Sequence, residues 1–205
     1  MNVLLINGSP HAQGCTWRAL REIQNTLEKE GVGSEIIHIG NKDIRGCIAC
    51  GTCAKTGKCV FDDIVNEVAE KLKTADGLVI GSPVYYASAN ATAIAFMDRL
   101  FYSTPFPKDW KVGAAVSSAR RGGNSATFDE LNKYFTISRM PVASGQYWNA
   151  VHGFTAQDVE KDEEGLQQMR TLAKNMAFLI KSIALGKEKY GLPEREEAKW
   201  THFIK

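Results

Sequence analysis

Short apolar runs alternate along this chain with stretches whose apolar residues recur every three or four positions. Val3-Leu4-Leu5-Ile6 has no polar interruption and leads into Gly8-Ser9-Pro10, as a parallel strand buried on both faces does. Trp17, Leu20, Ile23 and Leu27 follow at helical spacing, and Gly31 closes that helix. Residues 35–39 predict a second strand. Beyond a cysteine-rich loop, Asp62 or Asp63 caps a helix carrying Ile64, Val65, Val68, Ala69 and Leu72. A third strand over 77–81 again runs into Ser-Pro and leads to a helix through Ile94, Met97, Leu100 and Phe101. The fourth strand, 112–116, opens into the Gly-rich stretch SSARRGGNS, followed by a helix near 126–135 and a fifth strand around 143–147. The last long helix carries Leu166, Met169, Leu172, Met176, Leu179, Ile180 and Ile183. Acids precede it and Gly186-Lys187 end it, in keeping with the macrodipole and a glycine cap.

Parallel strands need crossover helices, and those crossovers are right-handed. Five strand–helix units in this order predict an α/β protein. Its expected form is a doubly wound five-stranded parallel sheet, order 2-1-3-4-5, with helices on both faces. One domain over 1–186 accounts for the pattern and leaves a tail over 187–205. There Trp200, Phe203 and Ile204 stand at spacings of three and four. The tail either docks by this short apolar face, on a partner subunit for instance, or frays as termini do.

Composition narrows the function classes. A chain of 205 residues with 44% hydrophobic positions builds one sizeable core. A net charge of +2 without a long basic run argues against nucleic acid or a membrane surface as partner. The opening MNVLLINGSPH has no basic leader, and its apolar run stops at Asn7-Gly8, so it is not expected to be a signal peptide. No stretch approaches the roughly 18 apolar residues of a membrane span. A cytoplasmic protein is expected, whose five cysteines are ligands, reactive thiols or buried side chains rather than disulfides.

In an open α/β sheet, ligands bind beyond the carboxyl ends of the strands, which brings together the loops after strands one, three and four. The first loop, 8–17, joins a buried strand to a helix N-terminus, where unpaired N–H groups and the dipole favour an anion. Ser9 and Thr16 add hydroxyl donors there, and His11 adds a donor or a positive charge. The loop lacks the Lys of a Walker motif and the three glycines of a dinucleotide fingerprint, so a singly phosphorylated cofactor fits better than ATP or NAD. The same residues also fit an ordinary βα turn with a Ser cap. The second loop, 82–90, sets Tyr85 and Tyr86 beside Pro83, offering flat surfaces to a conjugated ring unless one tyrosine packs beneath the next helix. The third, 117–125, carries Arg120, Arg121, Gly122 and Gly123. Glycine there permits close backbone approach, so that N–H groups can meet the carbonyl oxygens of a planar ligand; surface arginines on a plain loop are the other reading.

GSPHAQGCT resembles the phosphate loop of the flavodoxin-like NADPH-dependent FMN reductases, which commonly reads GSPR-x-x-G-N-T. SPVYYASANATAIAFMDR is similar to that family's second signature, an S/T-P-x-Y segment followed by a helix ending in Phe-x-Asp-Arg. The likeness is specific over 1–123 and rests on element order beyond. It implies a flavodoxin-like fold with the FMN phosphate at Ser9, His11, Cys15 and Thr16, next to Trp17. The FMN ring is then expected near Pro83, Val84, Tyr85 and Tyr86, and near Ala119, Arg120, Gly122 and Gly123. Two positions depart from the family pattern: His11 stands for the usual Arg or Lys, and Cys15 for the usual Asn. Both changes weaken side-chain contacts to phosphate and leave the backbone donors in place.

Cys47-x2-Cys50-x2-Cys53-x5-Cys59 gathers four of the five cysteines. Four thiolates at such spacing can wrap one inorganic centre, and two successive C-x2-C steps are nearer to bacterial ferredoxins than to the separated knuckles of structural zinc. The motif is similar to the compact cysteine motif of iron-sulfur flavoproteins, a branch of the same group. That resemblance implies a 4Fe-4S cluster on Cys47, Cys50, Cys53 and Cys59 that exchanges electrons with FMN. Related reductases carry the broader pattern, completed here by Gly46, Gly57 and Asp62-Asp63, without being known cluster proteins. Free thiols, a redox-active pair and a zinc site therefore stay open. Cys15 stands apart, either with a pKa lowered by the helix N-terminus or simply as a small residue against the phosphate. Histidines 11, 38, 152 and 202 show no ligand spacing, and Gln146-Tyr147-Trp148-Asn149 either line a substrate pocket or pack as aromatics.

The resemblance implies an FMN-dependent NAD(P)H oxidoreductase, with NAD(P)H as co-substrate and a quinone, azo, nitro, iron, flavin or cluster acceptor. Tyr85, Tyr86, Arg120 and Arg121 would surround the ring, and no catalytic side chain is assigned, because the cofactor carries the chemistry. A homodimer or homotetramer is expected on the same ground. The alternatives are a non-enzymatic FMN and iron-sulfur electron carrier serving ferredoxin, and a flavin-free zinc module.

Overall fold

The computed structural model describes residues 1–201 and 203. Five parallel strands form its sheet: β1 (Asn2–Asn7), β2 (Gly33–His38), β3 (Gly77–Tyr85), β5 (Val112–Ala119) and β6 (Ala150–His152). The two-residue β4 (Ser88–Ala89) turns back antiparallel against the end of β3. Spatial order is β2-β1-β3-β5-β6, which is the expected doubly wound order once the short hairpin strand is set aside.

Alternation along the central strands sorts the core onto two faces. Val3 and Leu5 of β1 face α1 (Cys15–Lys29) and α7 (Glu163–Tyr190), while Leu4 and Ile6 face α3 (Ile64–Thr74), α4 (Ala91–Ser103) and α5 (Asn124–Ile137). All four side chains are buried, each worth about 1.5–3 kcal/mol of transfer free energy. Asp63, one of the two acids expected as a cap, accepts from Val65 N–H at 3.0 Å and starts α3. Two short helices, α2 (Thr52–Thr56) and α6 (Ala156–Val159), lie in the cysteine loop and just beyond β6.

Two expectations are corrected. The fifth strand lies at β6 rather than over 143–147. Ala143 donates to Gly113 O at 2.9 Å, but the edge then leaves the sheet. Gln168 Oε1 takes the Tyr147 N–H, and pairing resumes only where Ser117 N–H reaches Asn149 O at 3.0 Å. Asn149, 1% exposed, pins this excursion by donating to Ala115 O and accepting from Gly145 N–H. The last helix, in turn, does not stop at Gly186-Lys187 but runs to Tyr190, with Gly191 (φ 75°) at its end. A glycine inside a helix costs only about 1 kcal/mol, which a helix docked by Met169, Leu172, Met176 and Ile180 tolerates.

Trp200 and Phe203 are exposed, and the chain after Gly191 forms no regular element among the described residues. Ile204, the third member of the expected apolar face, and His202 lie outside the described residues. No described helix is long and apolar enough to cross a membrane.

Candidate functional site

Because the five strands run parallel, the segments leaving β1, β3, β5 and β6 meet at one edge. They enclose a cleft of about 580 Å³, lined by Ser9, His11, Cys15 and Thr16 from the first, Pro83, Val84 and Tyr85 from the second, and Ser118, Ala119 and Arg120 from the third. The fourth segment, 153–157, closes it with Phe154 and Thr155.

The first loop is held by its neighbours rather than by its own turn. Gly8 N–H donates to Gly81 O at 2.8 Å, Ser9 N–H to Asn7 Oδ1 at 3.1 Å, and the His38 ring meets Ser9 O at 2.8 Å. Gly40 passes so close beneath that a Cβ there would fall 2.1 Å from Ser9 O. His11 N–H donates to Ser9 Oγ, which leaves the serine's own proton free. Gly14 caps α1 without a side-chain bond, and no acid stands in the first helical turn. The N-terminal N–H groups thus meet the cleft with neither a side-chain cap nor a first-turn acid, the arrangement that suits an anion, and Asp158, at the end of the fourth segment, is the carboxylate whose field reaches Cys15. Thr16 Oγ1 and Ser118 Oγ share a buried 2.8 Å hydrogen bond that ties the first loop to the third. Burial pushes the Cys15 thiol up, with Asp158 adding to it, the opposite direction to activation by the helix N-terminus.

The second loop is a β-hairpin with Tyr86 (φ 52°) and Ala87 (φ 59°) as its two-residue turn. Positive φ at both positions is the type I′ geometry that matches strand twist, and without glycine it carries strain. Glu130 of α5 holds the hairpin, accepting from Ala89 N–H at 2.8 Å and Ser88 Oγ at 2.9 Å. Gly123 (φ 91°) lies against it, and a Cβ there would meet Ala87 Cα at 2.9 Å and Val84 Cγ1 at 2.7 Å. The fourth segment is fixed by a Thr155–Asp158 capping box and by Glu160, which takes two hydrogen bonds from Arg18 of α1.

The structure therefore brings Ser9, His11, Cys15, Thr16, Pro83, Val84, Tyr85, Ala119 and Arg120 together, nine of the expected residues. Trp17 and Tyr86 do not line this cleft, Tyr86 being fully exposed at the hairpin tip. Gly122 and Gly123 border a second cavity of about 320 Å³, beside Tyr147, Trp148 and Gln168. The Tyr147 and Trp148 rings stand 4.8 Å apart and are half exposed, so they face this cavity rather than a core. Sequence reasoning missed His38, Ser118 and the fourth segment. The last had a signal in Thr155-x-x-Asp158, hidden by the misplaced fifth strand.

Away from the cleft, Cys47, Cys50, Cys53 and Cys59 all line one cavity of about 530 Å³, walled by Ile48, Val60 and Phe61 and by Arg99, Tyr102 and Ser103 of α4. All four thiols are free. Among the described residues, no three Cys, His, Asp or Glu side chains converge on a single-ion site. A cubane is instead held at four corners, so its thiolates stand around a space rather than at a point. Gly51 (φ 68°) and Gly57 (φ 71°) bracket α2 and turn the chain around this space. Asn66 clasps Cys59 through both its N–H and its carbonyl. Thr52 lies 3.3 Å from Cys50 Sγ and lowers that thiol's pKa. Ser103 Oγ, buried at the wall, has no hydrogen-bond partner among the described residues. A donor set of four thiols beside an orphaned hydroxyl fits an iron-sulfur cluster.

Residues 1–155 match the family model described as NADPH-dependent FMN reductase. An iron-sulfur flavoprotein of Methanocaldococcus jannaschii is 36% identical over 194 residues, spanning 89% of this chain and 99% of that protein. One from Methanosarcina thermophila is 29% identical over 194 residues, spanning 92% and 100%. Among solved structures, a flavodoxin from the domain Archaea superposes with a TM-score of 0.61 at 19% identity, covering 88% of this chain and 99% of its own. An NAD(P)H:quinone oxidoreductase from Methanothermobacter marburgensis gives a TM-score of 0.65 at 15% identity, with 86% and 96% covered.

Proposed function

The chain belongs to the NADPH-dependent FMN reductase family, whose fold is flavodoxin-like, and from that premise we propose a two-centre oxidoreductase. In it the four-loop cleft holds FMN, a nicotinamide supplies the electrons, and the cysteine cavity holds a 4Fe-4S cluster. The observation that carries the reading is the convergence of four loops on a helix N-terminus with neither a side-chain cap nor an acid. When bound, FMN supplies hydride acceptance and both one- and two-electron transfer, and the cluster supplies single-electron transfer.

The chain's own residues bind, orient and shield. The first turn of α1, with the Ser9 hydroxyl, holds the phosphate by N–H and O–H donation, and His11 with Arg120 adds donors at the rim. Pro83, Val84 and Phe154 would give the ring apolar walls and Tyr85 a flat one, on a hairpin held by Glu130. The cavity beside Tyr147 and Trp148 shares the third loop with the cleft and suits a planar donor or acceptor. No side chain need accept a proton. Cys47, Cys50, Cys53 and Cys59 ligate the cluster, in keeping with the naming of the relatives as iron-sulfur flavoproteins. Cysteines without disulfide partners suit a reducing cytoplasm, and we expect a homo-oligomer.

A second reading, an electron carrier without a nicotinamide pocket, is favoured by one observation. Ile48 and Val60 stand half exposed at the cysteine cavity, where a protein partner can approach. Anaerobic mixing of the purified protein with NADH and with NADPH separates the two: bleaching of the flavin bands is expected, and a flavin left oxidised by both favours the carrier. Iron and sulfide assays on the same sample test the cluster. A colourless protein that takes up no added FMN sinks both readings.

A further inference from the structure

Resting on the reading that the cysteine cavity holds an iron-sulfur cluster, we propose that one face of α4 positions and tunes that site. Arg99 and Ser103, one helical turn apart, are its hydrogen-bond donors toward sulfur.

Every N–H of the Arg99 guanidinium has an acceptor, and every acceptor belongs to segment 45–63. Nε donates to Cys59 Sγ at 3.2 Å. One terminal nitrogen reaches Asp63 Oδ2 at 2.7 Å and Arg45 O at 3.4 Å, and the other reaches Asp63 Oδ1 at 2.9 Å and Phe61 O at 3.4 Å. The group also lies 5.0 Å from the centre of the Phe61 ring, and its side chain is 0% exposed. A buried guanidinium is tolerated only when paired and fully bonded, and Asp63 is the pairing group. A single cation thus ties the entry of the cysteine loop at residue 45 to its exit at 59–63. Ser103 adds the complementary observation: its buried hydroxyl borders the same cavity and lacks a partner among the described residues.

Both groups act on the same quantity. A reduced cluster carries more negative charge on its sulfurs than an oxidised one, so donors aimed at sulfur favour reduction and raise the potential. The carboxylate of Asp63 opposes them. The arrangement therefore sets opposite signs for substitutions at neighbouring positions.

The test uses the full chain, purified anaerobically, with three variants. Potentiometric titration followed by visible and EPR spectra should give Arg99→Lys a potential lower by roughly 59 mV, the equivalent of a tenfold change for one electron. Ser103→Ala should shift the same way by less. It should also leave the cluster-free protein as stable as wild type or more so, because only an unpartnered hydroxyl is lost. Asp63→Asn, whose amide still caps α3, should shift the potential upward. In cluster-free protein, amide exchange over 45–63 should accelerate about tenfold in Arg99→Lys and stay unchanged in Ser103→Ala. Unchanged potentials in the three variants overturn the tuning role, and unchanged exchange in Arg99→Lys overturns the positioning role. If wild type binds neither iron nor sulfide, the cluster reading fails and the tuning role fails with it, while the exchange measurement still decides the positioning role.

Discussion

Gly40 offers the sharpest perturbation of the first loop, because it touches that loop without belonging to it. A Cβ on residue 40 would fall 2.1 Å from Ser9 O, 2.2 Å from Ser9 C and 2.5 Å from Gly8 O. Real Cβ atoms essentially never approach within 3.0 Å, so something must move by close to 1 Å. All three obstacles are backbone, so no flexible side-chain end can absorb the change. The loop that has to shift is anchored by Gly8 to Gly81, Ser9 to Asn7 and His38 to Ser9. Overpacking of this kind costs about 1–3 kcal/mol, and one broken anchor adds about 0.5–1.5 kcal/mol. Gly40→Ala should therefore lose roughly 2–4 kcal/mol in urea unfolding. It should also bind FMN at least tenfold more weakly by fluorescence quenching, since tenfold corresponds to about 1.4 kcal/mol of lost phosphate bonding. Gly46→Ala is the control, because a Cβ there meets nothing within 4 Å. An FMN affinity within twofold of wild type for Gly40→Ala would refute the argument that this contact sets the loop.

Three further outcomes follow from named contacts. Glu130→Ala removes the acceptor for Ala89 N–H and Ser88 Oγ, and should cost about 1–3 kcal/mol in thermal unfolding and expose the Tyr86–Ala87 turn to protease. Burial pushes the Glu22 carboxyl up, but hydrogen bonds from Arg170 and Arg18 outweigh it and hold the group below its ordinary 4.5. A lowered pKa in the folded state means that its stabilisation is complete above the ordinary value and is lost as pH falls through the folded one. Glu22→Gln should thus lower the melting temperature at neutral pH and converge on wild type in acid; a constant difference across pH would count against the pairing. Gly186→Ala should stabilise by about 1 kcal/mol in circular-dichroism melts, because position 186 is interior to α7 with open space for a methyl, and a loss would mean that the helix breaks there.

The sheet was legible because Val3-Leu4-Leu5-Ile6, the 77–81 run and the 112–116 run are buried on both faces, and such strands leave no polar interruption in the chain. The edge strand was not. Its short stretch Ala150-Val151-His152 has little apolar signal, and its position is decided by Asn149, a polar side chain bonded across the sheet. The first loop and Pro83-Val84-Tyr85 were readable from motif residues, and the structure gathers them. Trp17 followed from the resemblance and Tyr86 also from its place beside Pro83, yet a helix turns the former aside and a type I′ turn points the latter outward. Arg99 stood in the sequence only as the end of a helical motif. Its buried side chain and its link to Cys59 depend on a contact forty residues away, which no local pattern encodes.

α4 begins where the hairpin of the four-loop cleft ends, with Asn90 receiving Thr92 N–H at its cap and donating its own N–H to Ser82. The same helix ends in the wall of the cysteine cavity. At 1.5 Å per residue, Arg99 stands about 13 Å along the axis from that cap. One hydrogen-bonded rod, packed on the sheet by Phe96, Met97 and Leu100, therefore acts as a ruler between the two regions. Their separation is a property of the fold rather than of any loop, so substitutions in either set of loops can change what is bound or how strongly, but not how far apart the two stations stand.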